Sequence, residues 1–183
     1  VNEDGSVEYK DLSEQAIENI KKFGFDCIFT LGGDGTQKSA RDFSTKGVNV
    51  IGVPKTIDND VACTDITFGY NTAVSVAAEA LDRLHTTGET HHRIMVLEVM
   101  GRYAGWIALE SAIAGGADIA LIPEIPYDLN KAVEKINERR AQGKEFSIVV
   151  VAEGAAPKGG TITVANKRDN GAGVDNNKLG GVG

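Results

Sequence analysis

The feature that most constrains this chain is an alternation. Short apolar runs of four to seven residues take turns with helical patterns, five times over, between residues 11 and 152. Leu12, Ala16, Ile17, Ile20 and Phe23 recur at helical spacing, with Asp11 and Glu14 placed as a capping pair and Gly24 as the residue that ends the helix. Cys27–Leu31 is β-rich and apolar and reads as a buried strand, followed by a helix to about Lys46. Val48–Val53 is the second strand, which Pro54 is expected to stop. Ala73, Val76, Ala77, Ala80, Leu81 and Leu84 mark a helix that closes near Gly88. Arg93–Val99 is the third strand and Ala104–Ala114 the next helix, with Trp106 packing it against a sheet. Ile119–Ile122 is the fourth strand; Leu129, Ala132, Val133 and Ile136 define a helix whose basic end, Arg139 and Arg140, suits the helix dipole. Phe146–Ala152 is the fifth strand.

Such alternation predicts an α/β fold, a layered parallel sheet with helices on both faces in Rossmann-like lobes. Ligands of such sheets bind at the carboxyl ends of the strands. The informative segments are therefore 32–36, 54–65, 100–104, 123–127 and 153 onward. Residues 1–155 form the expected core. Residues 156–183 are a Gly-rich tail or incomplete element, with only Thr161–Val164 as strand material. The absence of an initial Met and the Gly180-Gly181-Val182-Gly183 end read as those of a central piece of a longer subunit.

Composition removes several classes. Two cysteines, Cys27 and Cys63, are too few for a disulfide scaffold, and they point to a reducing, cytoplasmic setting. No apolar run reaches membrane-spanning length, so no membrane partner is expected. With 19 basic and 26 acidic residues the net charge is −7, which argues against a nucleic-acid partner. His85, His91 and His92 lack ligand spacing and read as structural or exposed.

The loops carry the chemistry. Gly32-Gly33-Asp34-Gly35-Thr36 joins a strand to a helix. Glycines let backbone approach a phosphate closely, and a helix start supplies free N–H donors. A carboxylate there, Asp34, makes sense beside phosphates only if Mg²⁺ mediates. Pro54-Lys55-Thr56-Ile57-Asp58-Asn59-Asp60 ends the second strand. In extended backbone Asp58 and Asp60 would point to one side and Asn59 to the other. The pair suits a general base and a metal-facing or hydrogen-bonding partner; taken alone it better suits an Asx-rich turn, and the acidic glycine loop one strand away turns the reading to a site. Arg102, after Met100 and Gly101, is well placed to fork onto a phosphate; Arg93, at the start of its strand, less so. Glu153 either accepts a substrate hydroxyl or caps a turn.

Gly32–Thr36, Pro54–Asp60 and Met100-Gly101-Arg102-Tyr103-Ala104-Gly105, in that order and with Pro123-Glu124 and Ala152-Glu153-Gly154 behind them, closely resemble 6-phosphofructokinases. The likeness runs from about residue 11 to 155. The first motif is shared with lipid and NAD kinases; the second and third together are specific. The resemblance implies Mg²⁺-dependent transfer of a phosphoryl group from ATP to the 1-hydroxyl of fructose 6-phosphate, the step of glycolysis that gives fructose 1,6-bisphosphate. It implies that Asp58 accepts the proton, with Thr56 and Asp60 beside the transferred group. Asp34 would hold Mg²⁺, and Gly33, Gly35, Thr36 and Lys55 the donor. Thr56, Ile57, Asp58, Met100, Gly101, Arg102 and Glu153 would bind the sugar phosphate, with Arg93 reaching into a neighbouring subunit of a homo-oligomer, a dimer or tetramer. Family members that use pyrophosphate carry Asp where Gly35 stands and Lys at the Lys55 position, whereas ATP-using bacterial members carry Gly at both. Gly35 with Lys55 is a mixed signature; the missing side chain at Gly35 leaves room for ATP, and pyrophosphate is the alternative donor. A non-catalytic sugar-phosphate-binding piece is the reading from another class. Gly115-Gly116-Ala117-Asp118 aligns with a region where bacterial members bind an effector; the acidic residue equally well starts a strand.

Overall fold

The computed structural model describes residues 10–166 and 178–183. Helix α1 (Ser13–Phe23) leads into β1 (Ile28–Gly32), α2 (Asp34–Thr45) and β2 (Val50–Thr56). A two-residue strand, β3 (Phe68–Gly69), precedes the long α3 (Tyr70–His91). Then come β4 (Ile94–Val99), α4 (Trp106–Ala114), β5 (Ile119–Leu121), α5 (Leu129–Ala141) and β6 (Ser147–Ala152). Two short strands, β7 (Val164–Asn166) and β8 (Lys178–Leu179), pair antiparallel.

The expected α/β character with parallel pairing holds, but the strands divide. One sheet has the order β1-β2-β3 and a second the order β4-β6-β5, all parallel. Pairing of distant strands is a tertiary outcome, and alternation alone does not say which edges meet. The first sheet is covered by α2, where Gly52 faces the Gln37 side chain. Its other face leaves Phe29, Leu31 and Ile51 exposed at 62%, 61% and 47%. In the second sheet β6 is buried along its whole length. Ile148, Val150 and Ala152 pack with Leu81 of α3 and Ala108 and Ala112 of α4. Leu81 is fully buried there. Leu81→Ala should therefore cost about 2–5 kcal/mol of stability, through lost transfer energy plus the cavity left behind; a chemical-denaturation midpoint that does not move would contradict this placement.

Several expected boundaries shift for identifiable reasons. The second strand runs through Pro54 to Thr56. Pro54 is the last β2 residue paired with β1, and the β3 ladder begins only at Lys55, so the ring lies where one ladder hands over to the other. Helix α3 passes through Gly88 instead of closing there. Gly88 is buried, and a Cβ on it would sit 3.2 Å from Met95 and Phe146; it is a close-packing glycine, and left-handed His92 (φ 51°) ends the helix. Gly24 ends α1 in the left-handed conformation as expected (φ 68°). The proposed capping pair is half right: Asp11 accepts from the Ser13 N–H at 2.8 Å, while Glu14 pairs with Lys46. Trp106 does not pack into a sheet but stands 45% exposed at the start of α4.

The tail returns to the body where it is described. Ala155 and Leu179 are buried, and the Glu98 carboxylate on β4 accepts from the N–H groups of Gly181, Val182 and Gly183. Thr161–Thr163 lie outside any strand, and only Val164 of that run enters β7. Residues 167–177 of the expected tail lie outside the described residues.

Candidate active site

The strands of the two three-stranded sheets are parallel, so the turns after β1, β2, β4 and β6 leave from carboxyl ends. Four of these turns meet in one cleft of about 340 Å³. Its walls are Asp34, Gly35, Asp58 and Asp60 from the first sheet's loops and Met100, Arg102, Tyr103, Ala104 and Glu153 from the second's. A larger groove, about 610 Å³, lies between α1 and α2 and holds none of these loop residues.

On the β1 side, Gly33 is the last residue before α2, and Asp34, Gly35 and Thr36 form its first turn. Their N–H groups have no intrahelical acceptor, and the dipole's positive end points the same way. Gly33 packs closely on β2: a Cβ there would lie 3.3 Å from the Thr56 side chain. Gly35 faces open space. Lys38, one turn on, pairs with Asp34 at 2.6 Å. Gln37, which the sequence reading missed, donates to the Gly32 carbonyl at 3.0 Å and the Val53 carbonyl at 2.9 Å, tying the glycine turn to β2.

On the β2 side, the Thr56 hydroxyl donates to Asp58 at 3.2 Å and accepts from the Asp58 N–H at 3.2 Å. Asp58 and Asp60 do share a side and Asn59 does turn away, but not through extended backbone. Asn59 takes the left-handed conformation (φ 55°), and its carboxamide oxygen accepts from the Thr67 N–H at 2.9 Å. The Asx-rich turn and the paired carboxylates are thus one arrangement. Burial, reinforced by the charges of Asp58 and Asp34, holds the Asp60 carboxyl above its ordinary range. Lys55 is exposed and outside the cleft walls, and Ile57 faces an apolar groove beneath α3.

Opposite, the 100–105 turn is held by backbone contact. Gly101 adopts φ 150°, and the Gly154 N–H donates to its carbonyl at 3.1 Å. The Gly105 N–H donates to Glu124 at 2.9 Å. Arg102 lies over the Tyr103 ring at 5.8 Å. Glu153 directly follows β6 and lines the cleft. Arg93 precedes β4, at the end away from the cleft, roughly 20 Å along the strand from Met100. Asp118 does precede a strand, β5, and both its oxygens are engaged: one by Arg139 at 2.7 Å, the other by the Ile148 N–H at 2.9 Å.

Comparison with known proteins places the chain in a family. The family model described as Phosphofructokinase matches residues 3–181. The chain belongs to the phosphofructokinase family. It is 62% identical over 181 residues to ATP-dependent 6-phosphofructokinase 2 of Clostridium perfringens, covering 99% of this chain and 49% of that one. Identity to the ATP-dependent 6-phosphofructokinase of Chloroflexus aggregans is 56% over 147 residues, covering 80% and 41%. The chain thus spans about half the length of the curated phosphofructokinases it matches. Among solved structures, the pyrophosphate-dependent phosphofructokinase of Marinobacter aquaeolei superposes with a TM-score of 0.72 at 30% identity, covering 86% of this chain and 44% of that one. Pichia pastoris phosphofructokinase in the T-state gives 0.75 at 30% identity, covering 88% and 20%. No helix among the described residues is long and apolar enough to cross a membrane.

Proposed function

We propose that the protein transfers the terminal phosphoryl group of ATP to the 1-hydroxyl of fructose 6-phosphate, in the cytoplasm and as a homo-oligomer. The observation that carries this reading is the meeting of Asp34, Asp58 and Asp60 with Arg102 and Glu153 across one cleft. Phosphoryl transfer needs alignment and charge neutralisation more than covalent help. In this reading the free N–H groups at Gly35 and Thr36, with Gly33 beside them, hold the donor's phosphates, while Lys55 and Ile57 keep only the backbone course of the loop. Met100, Gly101 and Arg102 take the sugar phosphate, and Glu153 accepts a sugar hydroxyl. Asp58, aligned by Thr56, takes the proton as the 1-oxygen bonds to phosphorus and the donor's bridging oxygen leaves. Asp60 stands beside the transferred group, and Arg93 serves the neighbouring subunit's sugar phosphate.

Mg²⁺ fits as an ion carried by the donor. Among the described residues no three His, Cys, Asp or Glu side chains gather to grip a metal. Mg²⁺ commonly uses one or two carboxylates plus phosphates and water, and Asp34 at the glycine turn offers that. When bound, it would neutralise charge on the transferred phosphoryl group.

The donor is testable by turnover of the full-length protein with ATP and with pyrophosphate. ATP should serve, as the names of the relatives suggest; activity with pyrophosphate alone would overturn this. Gly35→Asp should fold, since a Cβ added there meets nothing within 4 Å. Its carboxylate would confront the donor's phosphates and raise the Michaelis constant for ATP roughly tenfold or more. The reading as a binding piece without turnover has one supporting observation, the half-length span. An assay of the 183-residue chain by itself addresses it.

A further inference from the structure

The cleft is assembled from two sheets that share no strand pairing, so something must set the distance between its walls. Helix α3 is joined to the first wall directly: β3 pairs with Lys55 and Thr56, and Gly69 runs straight into Tyr70. Gly69 lies so close to that wall that a Cβ would be 3.3 Å from Ile57 and 3.5 Å from the Thr56 carbonyl oxygen. Helix α4 is joined to the second wall, beginning right after the 100–105 turn. Between the two stands Tyr70, only 2% exposed, packed with Ala77 and Ile107 and flanked by Leu97 and Val99. Its hydroxyl donates to the Trp106 carbonyl at 3.3 Å. We propose that Tyr70 is a positioning residue whose hydroxyl latches the start of α4, and with it the Met100–Arg102 turn, to the loop that carries Thr56 and Asp58. This rests on the function proposed above.

Packing alone needs only a ring at this place; the hydroxyl is a polar atom added to an apolar cluster. Such a group is kept at a cost unless it is bonded. It is bonded here, and to the first turn of α4. Burial, then the hydrogen bond and charge of Glu110 on the same helix, push the phenol well above its ordinary value, so it stays protonated and remains a donor throughout the neutral range. The donor-phosphate turn at 32–36 belongs wholly to the first sheet and does not depend on the latch.

That asymmetry supplies the test. In the full-length protein, Tyr70→Phe keeps the ring and removes the hydroxyl. The Michaelis constant for fructose 6-phosphate should rise roughly 3–10-fold, the equivalent of one lost hydrogen bond, while that for ATP stays within twofold. Glu110→Ala removes an exposed carboxylate that competes with the Trp106 carbonyl for the hydroxyl's single proton, so it should lower the sugar constant, by up to about threefold; a rise would overturn the latch, which keeps the proposal testable if Tyr70→Phe folds poorly. A purely structural role would lower the melting temperature and leave both constants alone. Both constants unchanged in the two variants, or both raised equally, would overturn the latch while leaving the proposed function standing. An unsubstituted protein that does not phosphorylate the sugar would overturn the proposed function and the latch together.

Discussion

Asp58→Asn in the full-length protein is expected to lower kcat by roughly 10²–10⁴, the usual size of a general-base effect, with the Michaelis constant for fructose 6-phosphate little changed. The substitution is nearly isosteric. Thr56 can donate to the amide oxygen as it donates to Asp58 at 3.2 Å, so the loop keeps its shape. What disappears is the capacity to take a proton from the attacking hydroxyl. Thr56 is bonded to Asp58 on both sides of its hydroxyl, and that alignment is why the proton is assigned to Asp58 and not to Asp60. Steady-state kinetics decide the matter, and near-normal turnover in this variant would remove Asp58 from its role.

The second large effect is expected at Gly154. Its φ is not in the left-handed region, so any L-residue could adopt the backbone; the constraint is space. A Cβ there would overlap the Arg102 carbonyl and lie 2.7 Å from the Gly101 oxygen, and both contacts are backbone. The strand end cannot retreat easily, since Gly154 is bonded to Gly101 and Glu153 to Val99 at 2.9 Å. Gly154→Ala should therefore push the Met100–Arg102 turn out of place. A misplacement of about 1 Å costs on the order of 10²-fold, here in kcat/KM for the sugar phosphate. Measured beside Asp58→Asn, it should differ in kind, raising the sugar Michaelis constant where the aspartate variant does not. An unaltered kcat/KM would mean that the turn accommodates the methyl group.

Much of this was legible in the sequence because the decisive signals are local. A short β-rich apolar run, a helical period of 3.6 and a glycine between them locate strand, helix and turn, and parallel strands then send each turn to the same end. That is why Asp34, Asp58, Asp60, Arg102 and Glu153 could be nominated before any contact was known. What stayed hidden is set by distant partners. Gly88 looks like a helix terminator until Met95 and Phe146 press against it. Pro54 looks like a strand stop until β2 is seen to change neighbours there. The left-handed turn at Asn59 depends on Thr67, eight residues on. Lys55 and Ile57 sit inside a motif, yet their side chains lie outside the cleft walls. Gln37 and Tyr70 carry no motif at all, because their value lies in which carbonyl each reaches.

The division of the strands into two sheets has a consequence for descent. One wall of the cleft is drawn from residues 32–60 and the other from residues 100–153, with α3 between them; in the proposed function the first would hold the donor and the second the sugar phosphate. No strand pairing joins the two walls, and substitutions without shared partners contribute nearly independently. On the proposed function, a lineage built on this plan would be able to exchange one phosphoryl donor for another by changes near Gly35 and keep its sugar unchanged.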